Sequence, residues 1–179
     1  MIRVASTSNN WGLWWIIDAF DNNEQNDPTG PTNQVSILED NGDGTLDLIG
    51  YLGNIAPGET IWSARFIGER AYLVTFQNID PLWVIDLSEP SNPTILGELE
   101  VPGVSTYIHP IDNNLLLTIG IAPGPDGLGL DWSLTQISLF DISDPTNPNL
   151  SDSLQLTPAY ADKNCEQIIS CGWSWSWSE

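Results

Sequence analysis

Two stretches, Val84–Gly103 (VIDLSEPSNPTILGELEVPG) and Leu139–Pro158 (LFDISDPTNPNLSDSLQLTP), are variants of one pattern. Over eight aligned positions starting at Asp86 and Asp141, five are identical: Asp86/Asp141, Ser88/Ser143, Pro90/Pro145, Asn92/Asn147 and Pro93/Pro148. The other three, Leu87/Ile142, Glu89/Asp144 and Ser91/Thr146, are conservative. In each copy an apolar, β-branched run ends in an aspartate. A segment with two prolines follows, and prolines cannot donate to a strand ladder, so the chain must leave the sheet there. An alternating run then resumes. The pattern reads as strand, connection, strand.

The similarity extends outward. Arg70–Phe76 (RAYLVTF) answers Asn113–Gly120 (NNLLLTIG), and the segment from Pro57 (PGETIWSARFIG) answers that from Pro102 (PGVSTYIHPID). This register puts Trp62 opposite Tyr107 and Trp83 beside Leu139. Four short strands therefore recur at a period of roughly 45–55 residues, the size of a β-propeller blade. AYLVTF and LLLTIG are almost continuously apolar, as strands covered on both faces should be. Upstream, Leu48–Leu52 (LIGYL) aligns with ILGELE, Gly50 under Gly97. The segment DNGDG thereby falls where the next unit has its proline-bounded connection. No sustained 3.6-residue periodicity competes. The expected fold is all-β and propeller-like, with about three four-stranded antiparallel blades in an incomplete ring. The expected organisation is a single partial propeller over residues 1–179, with blades at 1–56, 57–101 and 102–158, and 159–179 as the start of a further blade or an irregular tail. IRVAST reads as a second strand without a first. Three explanations fit the short array: a fragment, an oligomer that completes the ring, or an open array of sheets. The fragment is the simplest.

Composition narrows the function. Of 179 residues, 24 are acidic and four basic (Arg3, Arg65, Arg70, Lys163), giving a formal charge of −20. Such a surface repels phosphate backbones and anionic headgroups, so neither nucleic acid nor a membrane surface is an expected partner. A hydrophobic share of 41% with nine tryptophans argues for a packed core rather than disorder. Leu13–Ile17 (LWWII) is far too short to span a bilayer, and no signal peptide is visible at the N-terminus. Cys165 and Cys171 form either a small disulfide loop or two free thiols; no histidine lies near them to make a zinc site.

Ser63–Asp112 resembles the C-terminal β-propeller domain of secreted bacterial and archaeal proteins, a family distantly related to WD-type repeats. Trp83–Glu100 (WVIDLSEPSNPTILGELE) and Leu139–Pro148 (LFDISDPTNP) also look like the LVIVD repeats of bacterial surface propellers. The resemblance covers about Ile49 to Leu156 and continues more loosely through the N-terminal third. It implies blade architecture and an extracellular or cell-surface location, and it brings no catalytic residues. The C-terminal CGWSWSWSE departs from the family pattern; Trp173, Trp175 and Trp177 alternate as one face of a further strand would.

Three groups of residues are candidates for chemistry. Asp40, Asp43 and Asp47 surround two glycines as acidic groups do in a calcium loop. On an EF-hand template, however, position 1 is Glu39 and position 12 is Gly50, so that motif is rejected. A looser calcium site competes with a hairpin turn, and the turn is the preferred reading. Asp126, Asp131 and Trp132 lie in an insertion, Ile121–Ser133, where blade loops often bind partners. His109, the one histidine, falls on a first strand, which in a propeller lines the central channel. Asp18–Gly30 is a long polar loop, and Asp86 and Asp141 should cap their connections by accepting backbone N–H bonds. The expected function is a non-catalytic binding module for a protein or glycan, with no cofactor unless calcium binds. The alternatives are a hydrolase-type enzyme built at the channel mouth from His109 and Asp112, and a calcium-stabilised structural surface module.

Overall fold

The computed structural model describes residues 1–8, 30–77, 80–127 and 129–157. These form eleven strands and, among the described residues, no helix. The strands build three antiparallel sheets in chain order. The first sheet holds β1 (Ile2–Ser8), β2 (Thr32–Asp40) and β3 (Leu46–Ile55). The second holds β4 (Thr60–Ile67), β5 (Arg70–Phe76), β6 (Asp80–Asp86) and β7 (Thr94–Val101). The third holds β8 (Val104–Pro110), β9 (Leu115–Pro123), β10 (Leu130–Asp141) and β11 (Asn149–Leu156). Each sheet is a simple up-and-down meander. Together they make an all-β, propeller-like array that is not a closed ring. The expected loop at 18–30, the cysteines and the C-terminal tryptophans lie outside the described residues, apart from Gly30.

Two cores lie between the sheets. Val35 and Ile37 of the first sheet meet Ala71, Leu73, Ile85 and Leu87 of the second. On the other side, Tyr72, Val74, Leu82 and Val84 meet Ile108, Leu116, Phe140 and Ile142 of the third. Strand alternation explains the partition: odd and even positions of β5 point to opposite neighbours. β5 is therefore buried on both faces, as its apolar run requires.

Every sheet carries a bulge at the same point of its last strand. Ile49, Leu96 and Ser151 are each skipped by the ladder, and Gly50, Gly97 and Asp152 follow. At the two glycines the next sheet comes close. A Cβ on Gly50 would run into the carbonyl oxygen of Pro90, and one on Gly97 would stand 2.7 Å from that of Pro145. The proline-bounded connection of each later sheet thus seats its backbone on the glycine of the sheet before. Glycine is needed because only a missing Cβ leaves room.

The connections themselves are held by the residues the repeat shares. Asp86 Oδ1 accepts from Ser88 N at 3.0 Å, and Asp141 Oδ1 from Ser143 N at 2.8 Å, the capping role expected of them. Just beyond, Leu87 N donates to Glu69 O at 2.8 Å and Ile142 N to Asn114 O at 2.7 Å. Pro93 and Pro148 are buried in both copies.

The first strands correct the repeat register by one residue. β4 skips Trp62 between Ile61 and Ser63, and β8 skips Thr106 between Ser105 and Tyr107. Thr106, not Tyr107, therefore occupies the place of Trp62. Tyr107 faces away from the second sheet, while its neighbour Ile108 packs onto it.

Candidate functional site

The antiparallel meander sorts the candidates onto two rims. β4 and β8 run from one rim to the other, and the strands after them alternate. The turns after β4 and β8 and the proline connections share one rim with the β2–β3 hairpin. The β3–β4 link, the β7–β8 link and the β9–β10 insertion share the opposite rim. Asp40, Asp43 and Asp47 thus lie with the β8–β9 turn after His109, while Asp126, Asp131 and Trp132 lie at the other end of the sheets.

On the first rim, Asn41–Thr45 is a hairpin tightened by its own side chains. Asp40 Oδ1 accepts from Gly42 N at 2.8 Å, Asn41 Oδ1 from Asp43 N at 3.1 Å, and Asp43 Oδ1 from Thr45 N at 2.9 Å. Gly42 and Gly44 adopt φ of 85° and 90°, which the turn demands. The Thr45 hydroxyl, then its amide, hold the Asp43 carboxyl below the ordinary aspartate range. Asp47 sits across the ladder from Glu39, like charge against like charge. Among the described residues no group of three or more His, Cys, Asp or Glu side chains is gathered closely enough to hold a metal ion.

His109 is exposed on β8. Its ring stacks beside Tyr107 at 6.2 Å between centroids, and Nδ1 lies 3.4 Å from the Tyr107 hydroxyl. Asp112 is occupied elsewhere: its Oδ1 accepts from Asn114 N at 2.7 Å and Leu115 N at 2.9 Å, closing the β8–β9 turn.

The opposite rim carries the most exposed large hydrophobic side chain among the described residues. β10 pairs with β9 through Leu130 and Asp131, then releases Trp132, Ser133 and Leu134 before pairing resumes at Thr135. This three-residue bulge pushes Trp132 outward until it is 72% exposed. Asp131 fixes the bulge by accepting from Ser133 N at 2.9 Å and Ser133 Oγ at 2.6 Å. The Ser133 hydroxyl, with its amide, holds the Asp131 carboxyl below the ordinary range. Behind Trp132 stands Trp62 of the second sheet, 6.1 Å away and tilted by 46°, and Trp62 packs edge-on against Phe76 at 5.5 Å. The loop before the bulge is closed by Gly124 N to Gly129 O at 3.3 Å, with Gly127 and Gly129 at positive φ and exposed Asp126 between the two loop ends. Beside Asp131 and Trp132 the structure sets Ser133 and Trp62, the residue that the repeat register placed opposite Tyr107.

Sequence reading also missed a buried polar clamp on this rim. Asn33, fully buried, donates from Nδ2 to Ile55 O at 3.0 Å, Ala56 O at 3.4 Å and Glu59 O at 3.1 Å, and accepts from Thr7 Oγ1 at 2.7 Å. Thr7 Oγ1 in turn accepts from Ile61 N at 3.1 Å. The clamp ties the first sheet to a link in which Asn54 and Ala56 hold left-handed φ of 57° and 45°. A relay continues from Trp83 Nε1 to Thr75 Oγ1 at 3.0 Å and from Thr75 to Glu59 Oε2 at 2.6 Å. No sequence signal marks Asn33, since its partners are backbone carbonyls that any residue supplies.

Stacked antiparallel sheets with short connections on one rim and an insertion on the other define a propeller-type repeat protein. The family model described as Beta propeller domain matches residues 1–166, and the chain belongs to that family. An uncharacterized protein of Methanocaldococcus jannaschii is 46% identical over 165 residues, which is 90% of this chain and 22% of that protein. Another, of Archaeoglobus fulgidus, is 42% identical over 116 residues, or 65% of this chain and 17% of its own length. The chain thus spans about a fifth of the length of these curated relatives. Among solved structures, a hypothetical selenium-binding protein from Sulfolobus tokodaii superposes with a TM-score of 0.51 and 9% identity, over 71% of this chain and 35% of that one. At that identity the likeness concerns the fold.

Proposed function

We propose that the domain is a non-catalytic binding module of a secreted or surface-attached protein, and that it takes a protein or glycan ligand on the Trp132 rim. The observation that carries this reading is the exposure of Trp132 on a bulge ordered by Asp131 and backed by Trp62. A flat apolar ring edged by hydrogen-bonding groups suits stacking against a sugar or an aromatic or proline side chain. The secreted, LVIVD-like setting is supported by the resemblance of the repeat and by the acidic composition. A non-catalytic role is supported by the engagement of Asp112 with its own turn rather than with His109.

The test uses the parent chain and Trp132→Ala on a glycan array and a peptide display library. The expected result is retention of the parent on one of them, an at least tenfold loss in the variant, and an unchanged melting temperature. Equal binding by both proteins, or no retention of the parent on either, overturns the assignment.

A further inference from the structure

The β2–β3 hairpin holds the one Asn–Gly pair of the 179 residues, Asn41–Gly42. An asparagine cyclises when the amide nitrogen of the next residue attacks its side-chain Cγ. A following glycine allows this most freely, because no Cβ stands in the way. The matching connections of the other two sheets are barred from that route. Asn92 and Asn147 precede Pro93 and Pro148, whose nitrogens carry no hydrogen to lose. In the β8–β9 turn, Asn113 and Asn114 are followed by Asn114 and Leu115, both with side chains. Residues 39–48 are all exposed, so water and base reach the hairpin.

The closed hairpin nonetheless withholds both reactants. Gly42 N–H, the group that must lose its proton, donates to Asp40 Oδ1 at 2.8 Å. A carboxylate there opposes a second negative charge on the nitrogen, so the proton is held. The Asn41 carboxamide is tied at both ends: Oδ1 accepts from Asp43 N at 3.1 Å, and Nδ2 donates to Thr45 Oγ1 at 2.7 Å. Turning its face toward Gly42 N breaks both bonds. Beyond the ladder, the backbone closes the loop only by the long contact from Asn41 N to Thr45 O at 3.4 Å. The side chains therefore decide how often the hairpin opens.

We propose that Asn41 is a site of spontaneous deamidation, and that Asp40 and Thr45 keep it unreacted while the hairpin is closed. Gly42 N, its proton taken up by water, bonds to Asn41 Cγ. The Cγ–Nδ2 bond breaks, and Nδ2 leaves as ammonia with a proton returned to it. Water then opens the succinimide ring at either carbonyl. One opening gives aspartate; the other gives β-aspartate, with the backbone rerouted through the side chain. The product has lost the Nδ2 donor that held Thr45, and it sets a new carboxylate between Asp40 and Asp43. Reaction therefore removes part of its own restraint and leaves the loop looser. The site lies on the rim opposite Trp132, goes beyond the ligand reading and shares no residue with it.

The test follows peptide masses of the full chain in mildly alkaline buffer. It compares the folded parent, the parent unfolded in guanidinium, and three folded variants, Asp40→Ala, Thr45→Ala and Thr45→Ser. Both substituted positions are exposed, and melting curves check that the fold is kept. The expected result is an amide-to-acid mass gain first in the peptide holding Asn41, with β-aspartate present there, and faster in the unfolded parent than in the folded one. Each alanine variant reacts about two- to tenfold faster than the folded parent, the factor a single hydrogen bond contributes. Thr45→Ser, which keeps the hydroxyl, stays at the parental rate. A mass gain that appears first at another asparagine, equal rates in the folded and unfolded parent, alanine variants no faster than the parent, or Thr45→Ser as fast as Thr45→Ala each overturns the proposal.

Discussion

Val74 in β5 and Ile119 in β9 occupy the same place in their sheets, yet Val74 is 1% exposed and Ile119 38%. The same holds for Val84 against Leu139 and Leu82 against Ile137: buried in the second sheet, half-buried in the third. The residues are equally apolar; only the neighbour differs. An apolar run therefore records the surroundings for which a strand is suited, and a single sheet can meet half of them. β5 has a sheet on either side, and β9, among the described residues, has one. The expectation that both strands are covered on both faces holds for β5 and, among the described residues, not for β9.

The comparison breaks most sharply under truncation. Leu82→Ala in the second sheet should cost about 2–5 kcal/mol of stability, the range for emptying a closed apolar site. Ile137→Ala, at the matching position, should cost about 1 kcal/mol or less under conditions where the chain is monomeric, because water already reaches it. Urea unfolding measures both, and equal losses would show that the third sheet is as tightly enclosed as the second.

A smaller contrast concerns the seats on the last strands. Gly97→Ala forces a methyl against the Pro145 and Thr146 carbonyls and should cost roughly 1–3 kcal/mol. Asp152→Ala, at the same bulge one sheet later, should change stability by no more than about 0.5 kcal/mol. Thermal unfolding of the two variants side by side distinguishes a seat in use from one that is closed.

The weakest effect is acid sensitivity. Asp141 is held below the ordinary range mainly by Ser143, and Asp144 mainly by Thr146, so both bind protons less readily folded than unfolded. Such groups contribute stability above their unfolded values, and it is lost as pH falls through the folded ones. The melting temperature should therefore drop as pH falls below about 4. The drop should shrink in Asp141→Asn combined with Asp144→Asn. Asp144 is exposed and Asp141 half-buried, and a slope that survives the double substitution would assign the acid response to other carboxylates.

What was legible in the sequence was whatever the repeat states twice. The proline connections, the capping aspartates and the Gly50/Gly97 pairing all appear as recurring letters, and each has a steric or hydrogen-bonding reason to recur. The offset of the first strands was hidden because a bulge inserts a residue without leaving a mark in composition, which is why Trp62 was set against Tyr107 rather than Thr106. Trp132 was legible as part of an insertion, but its exposure depends on where pairing with β9 stops and resumes. The clamp around Asn33 was invisible for a different reason. Its meaning lies in three carbonyls brought together by the β3–β4 link, and carbonyls have no identity in a sequence.

The seating of each connection on the glycine of the preceding sheet also gives the chain a direction of assembly. A ribosome delivers Gly50 before Pro90, and Gly97 before Pro145. Each newly emerged sheet therefore finds its docking place already made, and no sheet has to wait exposed for a receptor still unsynthesised. Nascent-chain folding can proceed sheet by sheet, in step with translation.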